Sequence, residues 1–318
     1  MENTEKRITV IVPCFNEQEV LPLFLEKTTA ILSGIGKPYE YLFVDDGSTD
    51  GTLSYLQKTA EKDGHVKYLS FSRNFGKEAA MYAGLSEARG DYVVVMDADL
   101  QDPPELLAEM ARILDEGSYD CVAAYRSDRK GEPALRSWFA RKFYQIMNRI
   151  SDADIKDGAR DFRMMKRNMV EAIVRMTEYN RFSKGIFGWV GFNTCWLPYE
   201  NVERAAGTSK WSFWKLFRYA LEGIINFSHA PLSIASWFGF LMTGLAFVML
   251  VFIVVRKLLF GDPVAGWAST ICVIIFIGGI QLFCTGVMGQ YIAKIYSETK
   301  NRPIYIVKET NLKKEKTE

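Results

Sequence analysis

Two stretches near the C-terminus contain no charged residue: Leu232 to Val255, LSIASWFGFLMTGLAFVMLVFIVV, and Val264 to Ala293, VAGWASTICVIIFIGGIQLFCTGVMGQYIA. Each exceeds the roughly 20 residues a helix needs to cross a hydrocarbon layer. The link between them, Arg256 to Pro263, is short, so the pair predicts a helical hairpin whose two flanks lie on the same side of a membrane. No apolar run at the N-terminus marks a cleavable signal segment. The segment after Ala293 holds Lys294, Lys300, Arg302, Lys308, Lys313, Lys314 and Lys316, and the region before the first run holds most other basic residues. That bias predicts both flanks on the cytoplasmic side of the cell membrane, with Arg256 and Lys257 of the link as the opposing signal.

The rest of the chain is charged and mixed. Over 318 residues, 39 Lys and Arg balance 38 Asp and Glu, a net charge of +1 that argues against a nucleic-acid partner. The 5 cysteines form no CxxC pair, which excludes a disulfide framework or a thiolate zinc site and points to a reducing compartment. His65 and His229 lie far apart and form neither a metal cluster nor part of a Ser-His-Asp triad. Between the charged region and the first apolar run, Trp211 to Phe227 carries Trp211, Trp214, Leu221 and Ile225 at helical spacing with Lys215, Arg218 and Glu222 interleaved. This pattern suits a helix lying in a headgroup layer or packed on the domain, ended by Pro231.

Upstream, short β-branched and aromatic runs alternate with helical patterns. Strands are expected at Ile8–Val12, Tyr39–Val44, Val66–Phe71, Tyr92–Met96 and Asp120–Tyr125, and helices at Glu17–Leu32, Gly51–Glu61, Lys77–Ala88 and Pro104–Glu116. Such alternation implies an α/β fold with a mostly parallel sheet, whose ligands bind beyond the carboxyl ends of the strands. Polar clusters follow four of those strands: Pro13-Cys14-Phe15-Asn16-Glu17, Asp45-Asp46-Gly47-Ser48-Thr49-Asp50, Ser72-Arg73-Asn74-Phe75-Gly76-Lys77 and Asp97-Ala98-Asp99-Leu100-Gln101-Asp102. There is neither a GxGxxG nor a GxxxxGK[ST] sequence.

Asp97 and Asp99, two residues apart after an apolar strand, repel each other unless a cation is shared, and Asp102 adds to the acidic load. Mg²⁺ is commonly held by one or two carboxylates plus substrate phosphates, so this spacing suits a metal-bound nucleoside diphosphate. Asp46 can accept a hydrogen bond from a base N–H, and Arg73 and Lys77 can approach phosphate. Taken singly, the same clusters could be helix caps and solvated surface charge. The segment Arg126 to Arg149, rich in Arg, Lys and aromatic residues, suits either anionic headgroups or an amphipathic helix on the domain.

Val12-Pro-Cys-Phe-Asn-Glu17, Val44-Asp-Asp-Gly-Ser-Thr-Asp50, Arg73-Asn-Phe-Gly-Lys77 and Asp97-Ala-Asp-Leu-Gln-Asp-Pro-Pro104 resemble family-2 glycosyltransferases of the GT-A fold. Arg160-Asp-Phe-Arg163, Arg181-Phe182 with Gly185, Trp189 and Gly191, and Arg204-Ala-Ala-Gly-Thr-Ser-Lys-Trp211 narrow the resemblance to the polyisoprenyl-phosphate branch. That branch includes dolichol-phosphate mannose synthases and bacterial undecaprenyl-phosphate glucosyl- and N-acetylglucosaminyl-transferases. The resemblance covers about residues 6 to 305. It implies that Asp97, Asp99 and Gln101 bind Mg²⁺ or Mn²⁺. It further implies that Pro13, Phe15, Asn16, Glu17 and Asp46 hold the base and ribose, and that Arg73, Lys77 and the Asp97-Ala98-Asp99 motif flank the nucleotide-sugar. Arg163, Arg204 and Lys210 match basic positions around the diphosphate or the acceptor phosphate. Asp161 matches a base or sugar-orienting carboxylate. Many relatives read D-x-G-D-F-R where this chain reads Asp157-Gly-Ala-Arg-Asp161-Phe-Arg, so Asp157 or Asp161 could fill that role, with Asp161 preferred.

The implied reaction is inverting transfer of a hexose from a nucleotide-sugar, with a UDP donor favoured, to a polyprenyl phosphate. Rival classes are a non-catalytic membrane scaffold, a pore, and a processive polysaccharide synthase; the last would need a QxxRW sequence and more spans. The expected layout is a cytoplasmic catalytic domain over 1–203, a juxtamembrane basic motif and interfacial helix over 204–230, a hairpin over 231–293 and a basic tail over 294–318. With the spans separate from the sheet, the domain is expected to fold and bind nucleotide without anything from Leu232 onward. Small residues at Ala235/Gly239 and Thr285/Gly289 are compatible with a homo-oligomer.

Overall fold

The computed structural model describes residues 6–127, 156, 158–200, 230–260 and 267–313. Its sheet, among these residues, has eight strands in the order β7-β5-β6-β4-β1-β2-β3-β8. The first half follows the alternation expected: β1 (Ile8–Cys14), α1 (Leu21–Ile35), β2 (Tyr39–Asp45), α2 (Thr52–Lys62), β3 (Val66–Phe71), α3 (Lys77–Glu87), β4 (Tyr92–Val95), α4 (Leu106–Asp115) and β5 (Cys121–Arg126). β1 pairs in parallel with β2 and β4, and β2 with β3. β6 (Ala159–Lys166) then enters antiparallel between β4 and β5 and is followed by α5 (Arg167–Val174), α6 (Ser183–Trp189) and β7 (Thr194–Tyr199), which lies parallel to β5.

β1 is buried on both faces, as expected of a central parallel strand. Ile8, Val10 and Val12 join Phe24, Phe43 and Leu107 on one side, and Ile11 joins Val44, Ala80 and Met165 on the other. The second layer is thin because α3 is built from small residues. A Cβ on Gly84 would lie 2.2 Å from the Ile11 side chain, so glycine permits the close approach of α3 to β1.

α1 starts at Leu21, four residues later than the sequence pattern suggests. Glu17 donates its N–H to Thr52 Oγ1 at 3.0 Å, which ties this stretch to the start of α2 before its own helix begins. Pro22 then occupies the first helical turn.

The largest departure lies after the hairpin. α7 (Ala230–Phe260) and α8 (Trp267–Thr299) are long and apolar enough to cross a membrane, and they expose Trp237 (71%) and Leu282 (75%) as few core helices would. Ala235 is buried where Cys284 Sγ approaches its carbonyl at 3.6 Å, so this small residue serves packing within the hairpin. Beyond α8 the chain is not a free tail. β8 (Val307–Thr310) pairs antiparallel with β3. Without it β3 would present an open edge of unpaired backbone groups, and the added strand closes it. The sheet thus draws on chain from both sides of the hairpin. Residues 211–227, 128–149 and the end of the link, 261–263, lie outside the described residues, and with them the interfacial helix and nearly all of the basic segment.

Candidate active site

The loops that follow β1 to β4 meet at one edge of the sheet, and each is held by its own sequence. Asn16, at φ 58°, lets its side-chain oxygen accept the Thr49 N–H at 2.8 Å, while its own N–H donates to Ser48 Oγ at 2.9 Å. Asn is among the few residues that adopt this left-handed conformation readily. Gly47, at φ 68°, packs so closely on the β3 loop that a Cβ there would lie 2.5 Å from the Arg73 carbonyl carbon. Asp46 accepts from the N–H groups of Phe75 (2.6 Å) and Gly76 (2.9 Å). Burial pushes its carboxyl up against the pull of those two bonds. Asp46, expected on a base N–H, therefore spends both oxygens on the β3 loop. Its neighbour Asp45 accepts from Ser48 N–H (3.1 Å) and Ser70 Oγ (2.7 Å) beneath the pocket described next.

That pocket, of about 440 Å³, lies beyond β2 and β3 and is lined by Phe15, Ser48, Thr49, Ser70, Arg73 and Lys308, among others. Phe15 is 45% exposed and offers a ring face to a planar ligand, while Pro13 is half-buried in β1. Arg73 lies over the Phe75 ring at 4.2 Å. A larger cleft of about 490 Å³ opens between α1 and α4, lined by Ile35, Lys37 and Asp115. It sits at the amino ends of β2 and β5, the wrong edge of the sheet for a ligand of this fold class.

At the same edge of the sheet, Lys77 Nζ bridges two carboxylates, 2.7 Å from Asp97 and 2.6 Å from Asp161. Three residues far apart in sequence thus form one ion cluster, brought together because β6 inserts beside β4. Burial alone would raise the Asp161 carboxyl; Lys77 first, and Lys184 with it, overrides that and holds it well below the usual carboxylate range. The same two carboxylates raise the Lys77 ammonium against the effect of its own desolvation. Glu78, the next residue of α3, accepts from the Ser183 N–H at 2.9 Å and from the Ser183 hydroxyl. Its carboxyl is pushed up to about 7, by burial first and by the Asp161 charge second. No motif pointed to Glu78, Ser183 or Lys184, because their partners are set by the docking of α6 on α3 and β6.

The acidic motif is distributed unevenly. Ala98 is buried between Asp97 and Asp99, and Asp99 accepts the Gln101 N–H at 3.1 Å. Leu100 takes φ 55°, a conformation costly for a branched side chain, and this turns the loop. Gln101 Oε1 accepts from Arg126 Nη2 at 3.1 Å. Asp102 is buried, accepting from Tyr199 Oη at 2.5 Å and Arg160 Nε at 3.3 Å, and burial raises its carboxyl ahead of the opposing pull of Arg160. It braces the loop from beneath. Arg163 is also turned inward. Its guanidinium rests on the Phe187 ring at 3.7 Å and donates to the Arg160 carbonyl at 2.9 Å, so it buttresses β6. Asp157, Arg204 and Lys210 lie outside the described residues.

Among the described residues, no three His, Cys, Asp or Glu side chains converge on a common point. Asp97 and Asp99, both half-buried, are two carboxylates at the end of β4 that could supply part of an oxygen donor set. That donor set fits a small divalent cation completed by water and ligand phosphates, and does not fit one caged by protein alone.

A strand-end pocket and an ion cluster of two carboxylates and a lysine, both at the carboxyl edge of the parallel strands, place the polar chemistry where α/β enzymes bind their ligands. The chain belongs to the family described as glycosyl transferase family 2, whose profile matches residues 9–174, and it is a glycosyltransferase of mixed, mostly parallel GT-A type. It is 43% identical over 307 residues to the "Bactoprenol glucosyl transferase" of Shigella phage SfII, spanning 96% of this chain and 98% of that one. It is 41% identical over 302 residues to the "Prophage bactoprenol glucosyl transferase homolog" of Escherichia coli K12, spanning 95% and 98%. Among solved structures, the mannosyltransferase PcManGT of Pyrobaculum calidifontis, in complex with GDP-Man and Mn²⁺, aligns with a TM-score of 0.43 at 18% identity, covering 91% of this chain and 88% of that one.

Proposed function

We propose that this glycosyltransferase moves a hexose, glucose before N-acetylglucosamine, from a UDP-sugar to a polyprenyl phosphate of the undecaprenyl type. One observation carries the reading: the chain joins a strand-end ion cluster to two exposed apolar helices, and relatives named for a bactoprenol acceptor match it along nearly their whole length. An acceptor that cannot leave the bilayer requires an enzyme held at it. The proposed arrangement has the hairpin spanning the cell membrane and the sheet on its cytoplasmic side.

In the reaction, an oxygen of the lipid phosphate attacks the anomeric carbon. The bond from that carbon to the nucleoside diphosphate breaks, and configuration inverts. A phosphate monoester has its second pKa near about 6, so the nucleophile is largely ionised at neutral pH. Positioning and charge compensation then carry most of the rate enhancement. Asp161, held ionised by Lys77, orients the sugar rather than removing a proton. Lys77 offsets charge between Asp97 and the site where diphosphate departs. Asp97 and Asp99 would hold Mg²⁺ or Mn²⁺, which when bound neutralises the leaving diphosphate. Phe15 stacks on the base, and Asp46 keeps the Arg73–Lys77 loop in place. Arg204 and Lys210 would serve the acceptor phosphate.

The test is transfer from a panel of radiolabelled UDP-, GDP- and other nucleotide-sugars to undecaprenyl phosphate in detergent. Label in the lipid phase with a UDP-hexose supports the reading. Absence of lipid-linked label with every donor returns the chain to the scaffold alternative.

A further inference from the structure

The donor pocket is lined in part by a residue that follows both apolar helices. Lys308 lies on β8 and borders the same space as Phe15, Ser48, Thr49, Ser70 and Arg73. β8 is firmly seated. Glu309 Oε1 accepts from Tyr68 Oη at 2.8 Å and Gln57 Nε2 at 2.5 Å, and Asn311 Oδ1 accepts the Tyr68 N–H at 2.8 Å. Thr310 Oγ1 donates to the Tyr68 carbonyl at 2.8 Å, and Tyr305 stacks on Phe71 at 5.0 Å. Ser70 opposes Glu309 and Phe71 opposes Val307, so the register shifts and Lys308 is the extra residue. Such a bulge re-aims a side chain at the rim of a sheet, and here it brings Lys308 to the pocket.

We propose that Lys308 is a donor-binding residue that contacts the nucleoside part of the nucleotide-sugar, so that the donor site is complete only when the chain beyond the hairpin has returned to the sheet. The inference rests on the donor reading above. The end of the donor that it meets follows from the sheet order. β8 stands four strands from β4, which leads into Asp97 and Asp99. At about 4.8 Å per strand that is roughly 19 Å, beyond the reach of a lysine side chain. Lys308 and Phe15 therefore share the nucleoside end, and the acidic motif takes the diphosphate end. A lysine only donates hydrogen bonds, so its partners there are base carbonyl oxygens or ribose hydroxyls.

Binding of uridine and UDP to the full-length protein in detergent, by calorimetry, tests this with Lys308→Met and Lys308→Arg. Loss of one charge-assisted hydrogen bond predicts affinity for both ligands weakened about tenfold or more in Lys308→Met, with partial recovery in Lys308→Arg. Since Lys308 is exposed, unchanged hydrogen exchange of the β3 and β8 amides is expected to exclude a loosened strand. In transfer assays KM for the nucleotide-sugar rises while KM for the lipid stays. Equal affinity of wild type and Lys308→Met overturns the proposal and leaves the donor reading intact. A loss seen with UDP but not with uridine overturns it in favour of a phosphate contact. No binding of either ligand by wild type overturns both.

Discussion

Replacing Glu78 by Gln isolates a carboxyl group that the fold holds against its ordinary ionisation. The amide keeps the shape and can still accept from the N–H and hydroxyl of Ser183, but it never ionises. The Glu78 carboxyl stands at about 7 against an ordinary 4.5, raised by burial and then by Asp161. A carboxyl raised in the folded state binds its proton more tightly there than in the unfolded chain. Its contribution is fully present below about pH 4.5 and is lost as pH climbs through about 7. At 1.36 kcal/mol per unit, the shift corresponds to at most roughly 3 kcal/mol between those limits. Wild type is expected to lose that much relative to Glu78→Gln as pH rises, so the variant is the more stable protein at pH 8. For a chain of this size the difference is worth on the order of 5–10 °C in Tm. Denaturant or thermal unfolding of both proteins in detergent, at several pH values from 4.5 to 8, reads it directly. Parallel stability curves over that range would refute the reasoning, since they would mean that Glu78 titrates alike in the folded and unfolded chains.

Lys77→Met removes the one ammonium between Asp97 and Asp161 and is expected to lower transfer at least a hundredfold while the protein still folds; near-normal turnover would show that the cluster is a resting-state contact only. EDTA, and Asp99→Ala, are expected to abolish transfer, with Mn²⁺ restoring the chelated wild type but not the variant; activity in metal-free buffer would remove both aspartates from the ligand role. Gly47→Ala combines a Cβ 2.5 Å from the Arg73 carbonyl carbon with φ 68°, so a loss of about 1–3 kcal/mol and weaker nucleotide binding are expected, measured by unfolding and calorimetry. A protein ending before Leu232 lacks β8 and Lys308, and is expected to expose the β3 edge, aggregate more readily and bind nucleotide more weakly than the full chain. Wild-type affinity in that fragment would restore the simpler view of an independent N-terminal domain.

The local features were readable because local physics sets them. β1 to β5, the four helices between them and the two apolar helices follow from periodicity and from the absence of charge, and the strand-end clusters followed from the rule that parallel sheets bind at their carboxyl edge. What could not be read was partnership. Asp45 and Asp46 are adjacent and chemically alike, yet one lies beneath the strand-end pocket and the other holds the β3 loop. Asp97, Asp99 and Asp102 share one motif, yet Asp102 is sealed under Tyr199. Arg163 has the charge for a phosphate but rests on Phe187.

These divisions depend on contacts between segments separated by tens to hundreds of residues. The sequence by itself determined the α/β alternation, the hairpin, and the chemistry available at the sheet edge. Each of these depends on the side chains within one short window. Only the tertiary structure decided that β6 carries Asp161 to Lys77, that Glu78 is bonded to Ser183, and that β8 returns Lys308 to the first half of the sheet. A strand's neighbours are chosen by which edge is left open and which faces must be covered, a condition on the whole sheet that no window of sequence contains.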